Sequence, residues 1–203
     1  MFTSLIKKTN HMKKILLLVA VLFVGTSLFA QDVKFGAKGG LNFANFKGDD
    51  VDDTDMKTDI FIGAFARFAI DEKLAFQPEL VYSRQGFKAD GNGSDVKWKS
   101  NYLNIPLLLR AELAEKFHAI AGPQIGIHLS SEGESDSGST TITEDIDDAM
   151  KDLDFGLALG FEYDISEKVA LGLRYNLGLS NIIDADDAKV QNSVIQLGVS
   201  VAF

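Results

Sequence analysis

The sequence contains no cysteine. A chain without cysteine has no disulfide framework and no lipid-modified cysteine behind an export signal. Basic residues are also scarce, with 20 lysines and arginines against 29 aspartates and glutamates. This acidic balance argues against nucleic-acid binding, which depends on positive charge. The G-x-S-x-G, P-loop and H-E-x-x-H motifs are missing as well, so we expect neither enzyme activity nor a cofactor.

An apolar run long enough for a membrane-spanning helix is also missing. The longest apolar run lies in "MKKILLLVAVLFVGTSLFA" (12–30), between two lysines and a few small residues. A spanning helix needs about 20 apolar residues, whereas this layout is typical of a secretory signal peptide. We therefore predict a signal peptide at 1–30, cleaved before Gln31, and take a membrane anchor as the alternative. Because Met12 begins a normal signal by itself, residues 1–11 are interpreted as an upstream overhang.

The remaining residues, 31–203, are enough for one domain. Removal of the lysines in 1–30 leaves 16 basic against 29 acidic residues, a net charge of −13. We therefore expect an exported and strongly acidic domain.

Large apolar residues alternate with small or polar ones along this whole domain, which is the pattern of a β-strand with one apolar face. The ending "VIQLGVSVAF" shows it clearly, since every second residue from Ile195 to Phe203 is large and apolar. The pattern predicts eight strands, at 33–43, 59–70, 74–85, 101–113, 117–130, 153–163, 169–180 and about 193–203. Tight turns are predicted at 71–73, 114–116 and 164–168. Longer loops are predicted at 44–58, 86–100, 131–152 and 181–192.

Eight strands with both chain ends on the short-turn side predict one closed up-and-down barrel. A soluble lipocalin-like barrel would turn its apolar face inward around a ligand, whereas a membrane barrel turns it outward into lipid. The other face here is rich in Gly, Ala, Ser and Asn, which suits the narrow interior of an eight-stranded barrel. We therefore predict an all-β, eight-stranded antiparallel transmembrane barrel, with a soluble periplasmic barrel as the less favoured alternative. Five aromatic residues are expected in interfacial girdles: Tyr82, Trp98, Tyr102, Tyr163 and Tyr175.

Several strand sequences resemble those of a known family. These are "FGAKGGLNFANF", "LAFQPELVYSRQG", "NYLNIPLLLRAEL", "AGPQIGIHLS", "FGLALGFEYDIS" and "LGLRYNLGLSNI". They look like the strand motifs of small outer-membrane β-barrels of the porin family, including the eight-stranded barrels of the OmpA and OmpX type. The resemblance implies a Gram-negative outer-membrane location, with contacts to outer-membrane lipid and lipopolysaccharide. It also implies that the terminal Phe203 is a sorting signal for the barrel assembly machinery. The family has no shared catalytic site, so none is implied here.

Charged residues on the small face are the candidate site residues. By alternation they should point into the lumen: Arg67, Glu79, Arg110, Glu112, Asp154, Glu162 and Arg174. Charges in a narrow interior must be paired or hydrated. They would form either an ion-pair plug or the lining of a narrow path for small solutes.

Metal binding has weak support in the sequence. The acidic runs "GDDVDDTD" (48–55) and "SEGESDSGSTTITEDIDDAMKD" (131–152) lack the spacing of a calcium-binding loop, so we expect solvated acidic loops. His118 and His128 are about 33 Å apart if both lie on one strand and could not share a metal. We therefore predict a structural or surface-interaction barrel with acidic extracellular loops, and keep a narrow solute channel as the alternative. The surface partner and the oligomeric state are left open.

Overall fold

The structure is a computed structural model that describes residues 33–48, 54–91, 94–136, 141–184 and 189–203. The predicted signal peptide at 1–30 and most of the acidic run at 48–55 lie outside these residues. No helix in the described ranges is long and apolar enough to span a membrane.

Nine strands make up the described chain. They are β1 (Val33–Lys47), β2 (Asp55–Ala69), β3 (Leu74–Gly91), β4 (Ser94–Ala114), β5 (Phe117–Asp136), β6 (Thr141–Asp145), β7 (Leu153–Asp164), β8 (Val169–Gly178) and β9 (Gln191–Ala202). A short 3-10 helix, Asp147–Ala149, lies between β6 and β7.

Eight of these strands close into a barrel. Neighbours pair in the order β1-β2-β3-β4-β5-β7-β8-β9, and the last strand pairs with the first, antiparallel, from Gly36 opposite Ala202 to Lys47 opposite Gln191. The predicted eight-stranded barrel is therefore confirmed. β6 is an additional strand that pairs with β5 outside the barrel wall.

The two faces of the wall have opposite character. Large apolar side chains on β7 such as Leu157, Leu159 and Phe161 are exposed, while their neighbours Ala158 and Glu162 are buried. The same alternation runs through the other barrel strands, with polar Asn, Gln, Ser and charged side chains among the buried residues. An apolar exterior and a polar interior are the arrangement of a membrane barrel. The soluble lipocalin-like alternative requires the opposite arrangement and is wrong.

The short connections lie at one end of the barrel, which we call the turn end. Asp71 Oδ1 accepts hydrogen bonds from the backbone N–H groups of Lys73 and Leu74, both at 2.8 Å. Such a local cap stabilises a tight turn. Lys116 has φ 66° in the connection between β4 and β5, which tight hairpins require. We call the opposite end the loop end.

Much of two predicted long loops, 86–100 and 131–152, is strand instead. β3 and β4 remain paired through residues 86–100, from Gly86 opposite Lys99 to Gly91 opposite Ser94. In the sequence, Asn-Gly at 92–93 is a hairpin signal that the two-residue alternation does not contain. In 131–152 the chain continues as β5, turns back as β6 and then forms the 3-10 helix.

A register shift changes the facing of β5 near the loop end. Tyr102 opposes His128 but Asn101 opposes Ser130, so Leu129 is an extra residue on β5. A bulge of this kind reverses the alternation beyond it. Simple alternation from His128 would place Ser130 on the inner face, but beyond the bulge Ser131 takes the buried position instead.

Two of the predicted girdle aromatics also lie inside. Tyr102 is fully buried, and Trp98 packs with it in an apolar cluster at the loop end. Tyr82 and Tyr163 remain exposed on the outer surface. Strand alternation already distinguishes these residues, because Tyr102 and Trp98 share the parity of the inward Asn104 and Arg110, whereas Tyr82 and Tyr163 share that of exposed Leu80 and Phe161.

Candidate functional site in the barrel interior

Glu79 is the centre of a buried ion-pair network. It lies on β3 with its side chain fully buried. Arg174 on β8 donates to both carboxylate oxygens, at 2.7 and 2.8 Å. Lys38 on β1 also donates to both, at 2.9 and 3.0 Å. A buried carboxylate is stable when it is paired and fully hydrogen-bonded, and Glu79 meets both conditions.

A second group of ion pairs involves two carboxylates of β7, Glu162 and Asp164. Arg110 on β4 donates through Nε to Glu162 at 2.9 Å and through Nη2 to Asp164 at 2.7 Å. Arg67 on β2 reaches Glu162 at 3.5 Å, and His118 Nε2 lies 2.8 Å from Asp164 Oδ2. The guanidinium of Arg110 thereby connects the two carboxylates.

Gln77 joins the two groups. Its Nε2 donates to Glu79 at 2.9 Å and to Glu162 at 3.4 Å, while its Oε1 accepts from Arg67 Nε at 2.8 Å. We refer to the whole set as the central ion-pair cluster: Lys38, Arg67, Gln77, Glu79, Arg110, His118, Glu162, Asp164 and Arg174.

Little empty space remains around this cluster. A cavity of about 20 Å³ is lined by Lys38, Glu162 and Arg174 among others. A second cavity of about 10 Å³, beside Arg67 and Asp164, lies toward the turn end. A cavity needs roughly 10–15 Å³ to hold one water molecule. Each of these two cavities therefore has room for about one water molecule.

Five of the seven predicted lumenal residues belong to this cluster: Arg67, Glu79, Arg110, Glu162 and Arg174. Asp154 is also buried but lies nearer the loop end of β7 and has other partners. Glu112 lies opposite the buried His118 and so keeps the inward alternation that its spacing predicted, but the closed interior does not extend to it. It is exposed where β4 reaches the turn end, because the barrel opens to solvent there.

Four members of the cluster were not among the predicted site residues: Lys38, Gln77, His118 and Asp164. Lys38, Gln77 and His118 have the inward alternation and could have been included on that basis.

Phe65 on β2 is a large apolar residue on the inward face, where small or polar residues are expected. It is buried at 4% exposure, and the guanidinium of Arg67 lies 5.3 Å from its ring centroid, consistent with a cation–π contact.

An apolar cluster closes the loop end of the interior. Its buried members are Phe46, Tyr102, Met150, Ile182 and Val190, with Phe87, Trp98 and Ile183 packed against them. Backbone contacts hold the covering segments together, including Lys151 N to Ile182 O at 2.8 Å and Asp184 N to Ala149 O at 2.9 Å. The two segments that precede β7 and β9 therefore form a packed cover.

On the side formed by β3, β4 and β5, the sheet extends beyond the loop end of the barrel wall. β7 begins at Leu153, opposite Ile127 of β5. Beyond that level β5 pairs with β6 instead, from Glu132 opposite Asp145 to Asp136 opposite Thr141. We refer to residues 85–91, 94–101 and 130–136 together with β6 as the raised sheet.

The raised sheet ends in an open edge. All five residues of β6 are exposed, and among the described strands β6 has a partner only on its β5 side. Segment 131–152 contains eight aspartates and glutamates against the single basic residue Lys151. Across the described residues, no group of three or more His, Asp or Glu side chains is placed to hold a metal ion.

Comparison with known proteins gives one family and a set of similar folds. The model of a family described as outer membrane protein beta-barrel domain matches residues 29–184. The attachment invasion locus protein Ail of Yersinia pestis has a similar structure, with TM-score 0.50 and 12% identity over 85% of this chain and 100% of that one. Neisserial surface protein A is similar at TM-score 0.52 and 14% identity, with the same coverage. No curated protein matches the sequence.

Proposed function

The chain belongs to the outer membrane protein β-barrel domain family and lies in the Gram-negative outer membrane, and from this premise we propose that it is a closed barrel that presents an acidic sheet at the cell surface. Membrane barrels of this kind have short periplasmic turns and longer extracellular loops. The loop end, with the raised sheet, is then extracellular.

The open edge of β6 is the observation that supports this proposal. An unpaired edge strand offers a row of backbone donors and acceptors to another chain, and strand addition is a common way to bind an extended segment. Proteins usually protect long exposed edges with charge. On β6 and the adjoining stretch of β5 every charged residue is acidic, whereas the three lysines of the raised sheet, Lys88, Lys97 and Lys99, lie on β3 and β4, away from the edge. The edge should therefore discourage like-charged chains and favour a partner segment rich in lysine and arginine.

The interior supports a scaffold more than a pore. The central ion-pair cluster joins side chains from seven barrel strands, and the apolar cover closes the loop end above it. A solute would have to separate paired, desolvated charges, which is costly. The outer surface would contact lipid and lipopolysaccharide, and Phe203 would be read by the barrel assembly machinery during biogenesis.

Conductance separates the scaffold from the channel alternative. Purified protein in planar bilayers should give no steady, well-resolved conductance steps. Clear single-channel steps whose ion selectivity changes in Arg174→Glu would show that the channel interpretation is right and the scaffold proposal wrong.

Single-cysteine labelling tests the display of β6, because the natural chain has no cysteine. Thr143→Cys in intact cells should react with a membrane-impermeant maleimide. Ser166→Cys, in the turn between β7 and β8, should react only after the outer membrane is permeabilised. Labelling of both positions in intact cells, or of Ser166→Cys alone, would contradict the proposed orientation.

A lysine-rich peptide serves as the probe for the acidic edge. Binding to the protein in lipid nanodiscs should weaken with added salt. It should also weaken when four carboxylates of the raised sheet become amides: Glu132→Gln, Glu134→Gln, Glu144→Gln and Asp145→Asn. The matched control neutralises four residues at the turn end: Asp71→Asn, Glu72→Gln, Glu115→Gln and Glu167→Gln. Equal weakening by both sets would mean that only net charge matters and that the edge is not the site.

A further inference from the structure

The open edge of β6 offers free backbone groups at every second residue. Opposed residues of an antiparallel pair alternate between pairs that exchange two backbone hydrogen bonds and pairs that exchange none. Ile146 N–H donates to Ser131 O at 3.1 Å, one residue beyond the end of the β5–β6 ladder. Counted in twos from Ile146, Glu144 and Ile142 also direct their backbone groups to β5. The backbone groups on the open side belong to the residues between them: Thr141, Thr143 and Asp145.

The side chains of Ile142 and Glu144 lie on the inner face of the raised sheet. Glu144 is opposite Gly133 on β5, and Gly133 is opposite Trp98 on β4. Directly opposed residues share a face of the sheet, and Trp98 packs against the apolar cluster at the loop end. Ile142 is two residues from Glu144 and therefore shares this inner face.

Both inner-face side chains of β6 are left without a matching neighbour on the open side. Ile142 is 56% exposed, and Val96 in the same row of the sheet is 38% exposed. Glu144 is exposed and forms no ion pair with the residues that the structure describes. Glu134 on the outer face, by contrast, is paired with Lys99. A chain added at this edge would therefore meet one apolar side chain and one uncompensated carboxylate on the inner face.

An added strand would make its closest side-chain contacts at these two residues. Antiparallel pairing is slightly more stable per residue than parallel pairing, and β6 itself pairs antiparallel with β5. Ile142 and Glu144 would then stand in pairs without hydrogen bonds, in which the Cα atoms are about 4.5 Å apart rather than about 5.5 Å. Apolar pairs and opposite-charge pairs at directly opposed positions are stabilising. The edge therefore favours a basic residue opposite Glu144 and a large apolar residue opposite Ile142.

We infer that the edge of β6 selects an extended partner segment in which two adjacent basic residues are followed, after one further residue, by a large apolar residue. An antiparallel partner meets Asp145 first, then Glu144, and Ile142 two residues later. Asp145 opposes Glu132 on the outer face, and a basic residue beside these two like charges relieves their repulsion. The inference rests on the proposed strand addition at β6 and adds the order of residues that this edge accepts.

Two peptides of identical composition test this order. The forward peptide contains KKTVT and the reversed peptide contains TVTKK, each with the same neutral flanks and a fluorescent label. Binding to the full-length protein in lipid nanodiscs is measured by fluorescence anisotropy. The forward peptide should bind about fivefold more tightly, because each matched cross-strand pair changes the affinity by up to roughly fivefold. Tighter binding of the reversed peptide would overturn the antiparallel order.

A charge exchange tests the contact with Glu144. A forward peptide with glutamate at its second position, KETVT, should bind weakly to the unmodified protein and several-fold more tightly to Glu144→Lys. Asp148→Lys is the matched control, because it makes the same change of charge at an exposed position outside β6. Equal gains in Glu144→Lys and Asp148→Lys would overturn the assigned contact.

Disulfide trapping reads the register directly, because the natural chain has no cysteine. Ile142→Cys should form a disulfide with a forward peptide that carries cysteine at its fourth position. It should not do so with cysteine at the second position, since side chains two residues from the opposed position are about 7 Å away, too far for a disulfide. Equal trapping of both peptides would mean that the edge fixes no register.

The binding measurements separate this inference from the proposed function on which it rests. Equal binding of the forward and reversed peptides, weakened alike by the four carboxylate-to-amide changes of the raised sheet, would overturn the inference and leave the acidic edge as the binding site. Absence of binding by either peptide would contradict both.

Discussion

Removal of the central carboxylate should destabilise the barrel far more than removal of one of its two cations. Glu79→Gln removes the negative charge and leaves the two cations, Lys38 and Arg174, on either side of a neutral amide. The central ion-pair cluster has four permanent cations against three carboxylates. Glu79→Gln changes this to four against two, whereas Lys38→Met changes it to three against three.

The magnitudes follow from this asymmetry. Breaking a buried pair by removing one partner costs about 3–5 kcal/mol when the other charge is left uncompensated. We expect that loss for Glu79→Gln. Lys38→Met leaves Glu79 with the bidentate Arg174 pair and the Gln77 hydrogen bond. Because Lys38→Met leaves no carboxylate without a counter-charge, the penalty for an uncompensated charge does not arise, and we expect Lys38→Met to cost much less than Glu79→Gln, about 1 kcal/mol.

Urea unfolding in detergent micelles, followed by tryptophan fluorescence, measures both changes. Glu112→Gln is the control, because it removes a carboxylate of the same chemistry from an exposed position and should change the free energy of unfolding by no more than about 0.5 kcal/mol. A Lys38→Met variant that loses as much stability as Glu79→Gln would refute the charge-balance argument. Each residue would then act mainly through packing.

Three further experiments, two with substitutions and one with the unmodified protein, test the membrane placement, the assembly and the stability of the barrel. Leu159 is 47% exposed on the outer face at mid-strand, so Leu159→Arg should cost about 2–4 kcal/mol in a lipid bilayer; a cost near zero in lipid-vesicle unfolding would mean that this face does not contact lipid. Phe203 is 79% exposed, and its backbone N–H donates to Phe35 O at 2.9 Å. Phe203→Ser should therefore refold normally in detergent but reach the outer membrane at a lower level in cells, and a normal cellular level would show that Phe203 is not a sorting signal. Boiled and unboiled samples should migrate differently on a denaturing gel, because a closed barrel resists unfolding; identical migration would contradict this resistance.

The location of the charged residues relative to the wall was only partly predictable. Alternation placed Glu79, Glu162 and Arg174 correctly on the buried face, because side chains on a strand point to opposite sides in turn. It did not indicate that Glu112 is exposed at the open turn end, and it gave the wrong face for Ser130 beyond the bulge. Both errors have one physical origin, since alternation describes an ideal strand and contains no information on where the strand leaves the barrel or shifts register.

The sequence by itself determined the number of barrel strands, the antiparallel closure and the apolar exterior, because a two-residue period combined with short turns permits few other arrangements. Only the tertiary structure decided which charges meet. Lys38 and Arg174 are 41 and 95 residues from Glu79 along the chain, and closure of the barrel brings all three together. Asp154 and Glu162 share a strand and a face, and their sequence contexts do not distinguish them. Their partners differ because depth in the barrel depends on the stagger between strands, which places two arginines beside Glu162 and none beside Asp154.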